Sequence, residues 1–208
     1  MNTRSRAYTH LVMTIGSALL LTACQHVSQS IKDTFNTIPE EQRISKTGNN
    51  SVTGFVADEQ ALINAEQALR ELPQYRESHI YLYGDIHFYD DGRINAKLQH
   101  PQNPEYIDAY SYKDGEWSSP DPVQLSVRDD VEGKIVALDS VPFRTVATVV
   151  RNYNEKADSV AGADGTNHVY LIIRYGATQW YPNQIDGTRE QWRVHFRRDG
   201  SVASFDRN

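Results

Sequence analysis

Twice along this chain, apolar residues at helical spacing precede residues that alternate apolar and polar, and that order restricts the fold more than any other feature. Leu62, Ala65, Leu69 and Leu72 fall at i, i+3, i+7 and i+10, a single stripe on a helix, and Phe143, Val146, Val150 and Tyr153 repeat the spacing. Asp58 and Glu59 supply an N-cap carboxylate and an acidic first turn to the first helix, and Pro73 stops it. Asp139 and Ser140, with Pro142 in the first turn, are expected to open the second helix. After the first stripe, Ile80, Leu82, Ile86 and Phe88 alternate with His79, Tyr81, Tyr83, Asp85, His87 and Tyr89, the period of a half-buried strand. Asp90-Asp91-Gly92 signals a hairpin into a second strand carrying Ile94, Ala96 and Leu98, and a third strand is expected over 106–112.

The second half echoes the first. His168-Val169-Tyr170-Leu171 matches His79-Ile80-Tyr81-Leu82, and the run from Val194 to Gly200 matches that from Ile86 to Gly92. Duplication with insertions in the second copy accounts for the match, and coincidence between short strand motifs is its rival. The expected fold class is α+β: two αβββ-type repeats, over 58–138 and 139–208, with helices packed on antiparallel sheet. A helix stripe and a sheet face each have one apolar surface to bury, which drives them together. The αβββ order is similar to the beta-lactamase inhibitor protein fold and to BamE-like and PepSY-like envelope domains, a resemblance that implies architecture and no activity.

The N-terminal region reads differently. Arg4 and Arg6 precede an apolar stretch from Leu11 to Leu21, too short to span a hydrocarbon core that takes about 20 residues as helix. It ends in Leu-Thr-Ala-Cys, with Cys24 the single cysteine. This tetrapeptide resembles the lipobox cut by signal peptidase II in bacterial lipoproteins. The resemblance implies that 1–23 is a signal peptide, that Cys24 is acylated, and that Gln25, in the sorting position, directs the protein to the outer membrane. Residues 24–57, polar and poor in apolar side chains, are expected to form a lipidated flexible tether. A chain with its one cysteine acylated folds without disulfides.

Loss of 1–23 takes away Arg4 and Arg6 and no acid, so the 21 basic residues fall to 19 against 27 acidic, a net charge of −8. Nucleic acid and anionic lipid phosphates are thereby disfavoured as principal ligands. Arg189, Arg193, Arg197, Arg198 and Arg207 nevertheless give the chain a basic end. No His-Glu-x-x-His, Gly-x-Ser-x-Gly, Ser-x-x-Lys or P-loop pattern occurs, and neither a metal nor a cofactor is expected. His79 and His87 lie about 27 Å apart on a straight strand, beyond the reach of one metal ion.

Amphipathic aromatics stand out instead: 12 Tyr and 3 Trp against 6 Phe. Tyr81, Tyr83, Tyr89 and Tyr170 are expected on the solvent face, with Trp117, Trp180 and Tyr181 in turns. Such side chains dominate binding hot spots. The sequence therefore points to a non-enzymatic lipoprotein that binds an envelope protein through Tyr81, Tyr83, Tyr89, Trp117 and Trp180, as an assembly factor, inhibitor or immunity-type protein. The alternative is a periplasmic metal-binding protein or hydrolase using Asp85, His87 and His195.

Overall fold

The computed structural model describes residues 54–208; Cys24, Gln25 and the expected signal peptide lie outside the described residues, as does most of the expected tether. Helix α1 (Glu59–Arg70) starts where the sequence places it. The Asp58 carboxylate accepts from Ala61 N at 3.0 Å, and Leu62, Ala65 and Leu69 form the buried stripe. Seven strands follow: β1 (Tyr81–Tyr83), β2 (Asp85–Tyr89), β3 (Ile94–Gln99), β4 (Ile107–Lys113), β5 (Glu116–Trp117), β6 (Asp121–Pro122) and β7 (Ile135–Ala137). Helix α2 (Thr145–Asp158) precedes β8 (His168–Arg174), β9 (Ala177–Tyr181), β10 (Gln184–Asp186), β11 (Gln191–Phe196) and β12 (Val202–Arg207). The fold is α+β, and helix followed by antiparallel strands occurs twice.

The strands of the second half divide. β8 and β9 join those of the first half in a nine-stranded sheet with the path β5-β4-β3-β2-β8-β9, while β10, β11 and β12 form a sheet of their own. The echoed tetrapeptides therefore occupy different places. β1 lies between β3 and β7, whereas β8 lies between β2 and β9.

The alternation over 79–89 does not form one strand, because it breaks at Gly84, whose φ of 70° lies in the left-handed region that favours glycine. Gly84 N donates to Lys134 O at 2.8 Å and Gly84 O accepts from Ile173 N at 2.6 Å. The chain thus branches there, with β1 leaning on β7 and β2 on β8. Helix α2 also starts later than expected. Leu138–Ser140 form a 3-10 turn, and Val141, non-helical before Pro142 with φ −142° and ψ 66°, separates it from the helix. Asp139 caps nothing; it pairs with Arg70 of α1 at 2.7 Å. Glu66, one turn before Arg70 on α1, holds the turn leading into α2, its Oε2 accepting from Phe143 N at 2.7 Å.

Leu62, Leu69, Phe143, Val150, Ile80, Leu82 and Leu171 are all buried in one core between the helices and the large sheet. Phe196, expected beside them, is only half-buried and packs against both this core and a smaller one built from Tyr153, Ala157, Val160, Ile185 and Val194. Helix α2 serves both, its first turns the large sheet and its last turns the small one.

Candidate functional site

Alternation in β2 buries Ile86 and Phe88 and turns Asp85, His87 and Tyr89 to the opposite face of the sheet, where no helix of the described residues covers them. Strand β8 does the same with His168, Tyr170 and Ile172. The register sets His87 opposite Tyr170 and Tyr89 opposite His168, and on the next strand Tyr181 lies opposite Tyr170. Five rings on three strands become neighbours. Tyr89 stacks on His168 with centroids 4.4 Å apart and planes within 3°, His87 on Tyr170 at 5.0 Å and 11°, and Tyr170 on Tyr181 at 4.8 Å and 6°. The Arg93 guanidinium caps the end of this ladder, 4.5 Å from the Tyr89 centroid.

The two imidazoles are linked differently from the tyrosines. His87 Nδ1 and His168 Nε2 are 3.0 Å apart, the centroids 5.2 Å apart and the planes 15° from parallel, so the rings lie side by side with a hydrogen bond in their common plane. His87 Nε2 in turn lies 3.0 Å from Asp85 Oδ2, and Lys97 Nζ donates to Asp85 Oδ1 at 2.8 Å. Burial pushes the Asp85 carboxyl up, but the hydrogen bonds and charges of Lys97 and His87 outweigh it and hold it below the usual carboxylate range. Burial, with the charges of His87 and Arg93, holds the His168 imidazole below its ordinary value.

These bonds assign the tautomers. An ionised Asp85 only accepts, so His87 carries its proton on Nε2; its bare Nδ1 must then accept from His168 Nε2–H. His168 Nδ1 is left as the open end of an Asp85–His87–His168 relay.

Beside the relay lies a cleft of about 770 Å³ lined by Asp85, His87, Lys97, Lys134, His168 and Arg174 among others. Among the described residues, no group of three or more His, Cys, Asp or Glu is arranged to hold a metal ion.

The residues singled out in the sequence scatter. Tyr89 belongs to the ladder and Tyr81 is half-buried in β1. Tyr83 and Trp180 are not on an open face: they are 6% and 2% exposed, because Tyr83 precedes the break at Gly84 and Trp180 belongs to β9, where its Nε1 donates to Arg198 O at 3.1 Å. Trp117 is half-buried, its Nε1 donating to Ala65 O of α1 at 2.9 Å. His195 sits on β11, opposite Ser204 in the smaller sheet, so the trio Asp85, His87 and His195 is split between two sheets. The partner that His87 does have, His168, entered the sequence analysis only as part of an echoed motif.

Comparison of the chain with protein-family models, curated proteins and solved structures returned no match. The fold and the site define an α+β protein with an aromatic and histidine face left open by the described residues, and the functional argument rests on that face.

Proposed function

We propose that this protein is a lipid-anchored envelope protein, held at the outer membrane through Cys24 and sorted by Gln25, that binds a protein partner through the outer face of its large sheet. One observation carries the binding reading: five ring side chains from β2, β8 and β9, locked against one another, form a half-buried surface with no element of the described chain packed over it. Rigid aromatics offer contact area with little side-chain entropy left to lose, and hot spots concentrate in such residues. Tyr89, Tyr170, Tyr181 and His168 form the contact surface; Tyr83 and Trp180, being buried, are not part of it. The activity is non-enzymatic in this reading. The lipobox supports the anchor, and the net acidic charge supports a protein rather than a nucleic acid as partner.

Affinity capture from detergent-solubilised envelope tests it. Wild type is expected to retain a discrete partner, and Tyr89→Ala with Tyr170→Ala to reduce capture roughly 30-fold, the effect of losing about 2 kcal/mol at a hot spot. Cys24→Ser is expected to leave an unprocessed or soluble protein. Undiminished capture by the double variant would refute the binding face, and fatty-acid labelling of the Ser variant would refute the anchor.

The Asp85–His87–His168 relay favours a second reading, acid–base chemistry at His168 Nδ1. It predicts the opposite pattern, with loss of function in His87→Gln and His168→Gln and none in the tyrosine variants.

A further inference from the structure

We infer that a second docking site, separate from the ring ladder, lies under residues 123–132 and takes a cationic amphipathic peptide segment. These residues lead from β6, beside β4, to β7, beside β1, and so pass from one side of the β4-β3-β1 group to the other. Between them and the strands lies a cleft of about 1240 Å³. That exceeds the roughly 300–1,000 Å³ of sites for small molecules and suits a stretch of peptide. Tyr106, Ile107, Val123, Leu125, Val127 and Ile135 give it apolar walls. Among the described residues, Tyr106 at 60% and Val127 at 104% exposure are two of the three large apolar side chains most open to water, and both border this cleft. An apolar surface of this kind, rimmed by polar groups, marks an interaction site.

Charge selects the occupant. Glu105, Asp108, Asp129 and Glu132 line the cleft, and no Lys or Arg does. Asp129 is paired with Lys134 at 2.9 Å. The side chains of Glu105 and Glu132 have no hydrogen-bond or ion-pair partner among the described residues, whereas Asp108, opposite Leu98, turns to the core face near Tyr75. An exposed carboxylate without a cation gains modestly from an ammonium or guanidinium brought to it. The one basic ring in the lining is His100, whose Nδ1 accepts from Gln102 N and Asn103 N, both at 3.2 Å. Unpaired carboxylates over apolar walls match a segment with Lys or Arg on one side and aliphatic residues on the other. They reject an anionic segment.

The site goes beyond the partner-binding reading and stands or falls without it. Fluorescence anisotropy with the full chain carrying Cys24→Ser, which keeps lipid and detergent out of the assay, tests it. The probe is a labelled peptide of Leu and Lys in amphipathic order, beside Leu/Glu and Lys/Ser peptides of the same length. The Leu/Lys peptide is expected to bind at least tenfold more tightly than either control. Glu105→Gln with Glu132→Gln should weaken it roughly three- to tenfold, the range of two partly exposed ion pairs, and added salt should do the same. Val127→Ser should weaken it too, whereas Tyr89→Ala with Tyr170→Ala should leave it unchanged. Equal binding of the Lys/Ser peptide, or an unchanged affinity in the glutamine variants, would reduce the effect to general acidity and overturn the site. Loss of binding in the tyrosine variants would place the peptide on the ladder and overturn it as well.

Discussion

The outer face of the large sheet has two ends built on opposite rules. At the ladder end, charged side chains meet opposite or polar neighbours: Asp85 meets His87 and Lys97, His87 meets His168, and Arg93 meets Asp91 and the Tyr89 ring. At the cleft end, Glu105 and Glu132 have no cation partner among the described residues. The difference follows from strand pairing. β2 pairs with β8 over five residues, which sets rings directly opposite one another in the positions where cross-strand pairs interact best. At the cleft end of β4, by contrast, the outer neighbour is the two-residue β6, and its Pro122 has no N–H to offer a ladder. Past it the chain leaves the sheet and crosses over. Long pairing yields a surface already organised for contact, and short pairing yields a hollow that a ligand must complete.

The largest expected effect is common to both ends. Leu69, fully buried beneath the sheet, should cost about 2–5 kcal/mol when changed to Ala, read as a lower urea midpoint with both regions unfolding together. A ladder that melted separately from the cleft would break the comparison at its base. Tyr170→Ala removes the partner of both His87 and Tyr181 and should cost about 1 kcal/mol, whereas Val127→Ser at the cleft should stay within about 0.5 kcal/mol.

Acid should separate the two ends more gently. His168 is less basic folded than unfolded, so below its ordinary value of about 6.5 the unfolded chain binds more protons. Stability present above that pH is lost as the pH falls toward the folded value. The melting temperature should therefore fall between pH 7 and pH 5, and fall less in His168→Gln, whose amide still donates to His87 Nδ1. Asp85 acts in another window. Its carboxyl is more acidic folded than unfolded, so its contribution persists until the pH drops below about 4. A flat profile for wild type from pH 7 to pH 5 would contradict the relay. The smallest effect is that of Lys97→Ala, about 0.5 kcal/mol for a half-exposed ion pair.

Much of this architecture is written in local patterns. The two helix stripes, the Asp58 cap and the parity that turns Asp85, His87 and Tyr89 away from the core are all legible in sequence. What escapes is non-local or masked by its neighbours. Gly84 sits in phase with the alternation, so the pattern runs through the point where the backbone breaks, and Tyr83 is misread as exposed. The hairpin between β8 and β9 turns at Tyr175-Gly176, both with positive φ. This lacks the Asn-Gly or Asp-Gly signature of such turns, which is why Trp180 and Tyr181 read as turn residues rather than strand. The two halves of the ladder did leave a trace, His87-x-Tyr89 and His168-x-Tyr170, the same residues at the same spacing. Nothing local says that these strands, some 80 residues apart, lie side by side. That pairing is a property of the assembled sheet.

Covalent footprinting of the protein bound to its captured envelope partner tests the central claim most directly, because it compares the two ends of the face in one molecule. Tyr89, His168, Tyr170 and Tyr181 should lose labelling on partner binding, while Tyr106 at the cleft should label as it does in the free protein. Unchanged labelling of all four ladder residues, with protection elsewhere, would contradict the account.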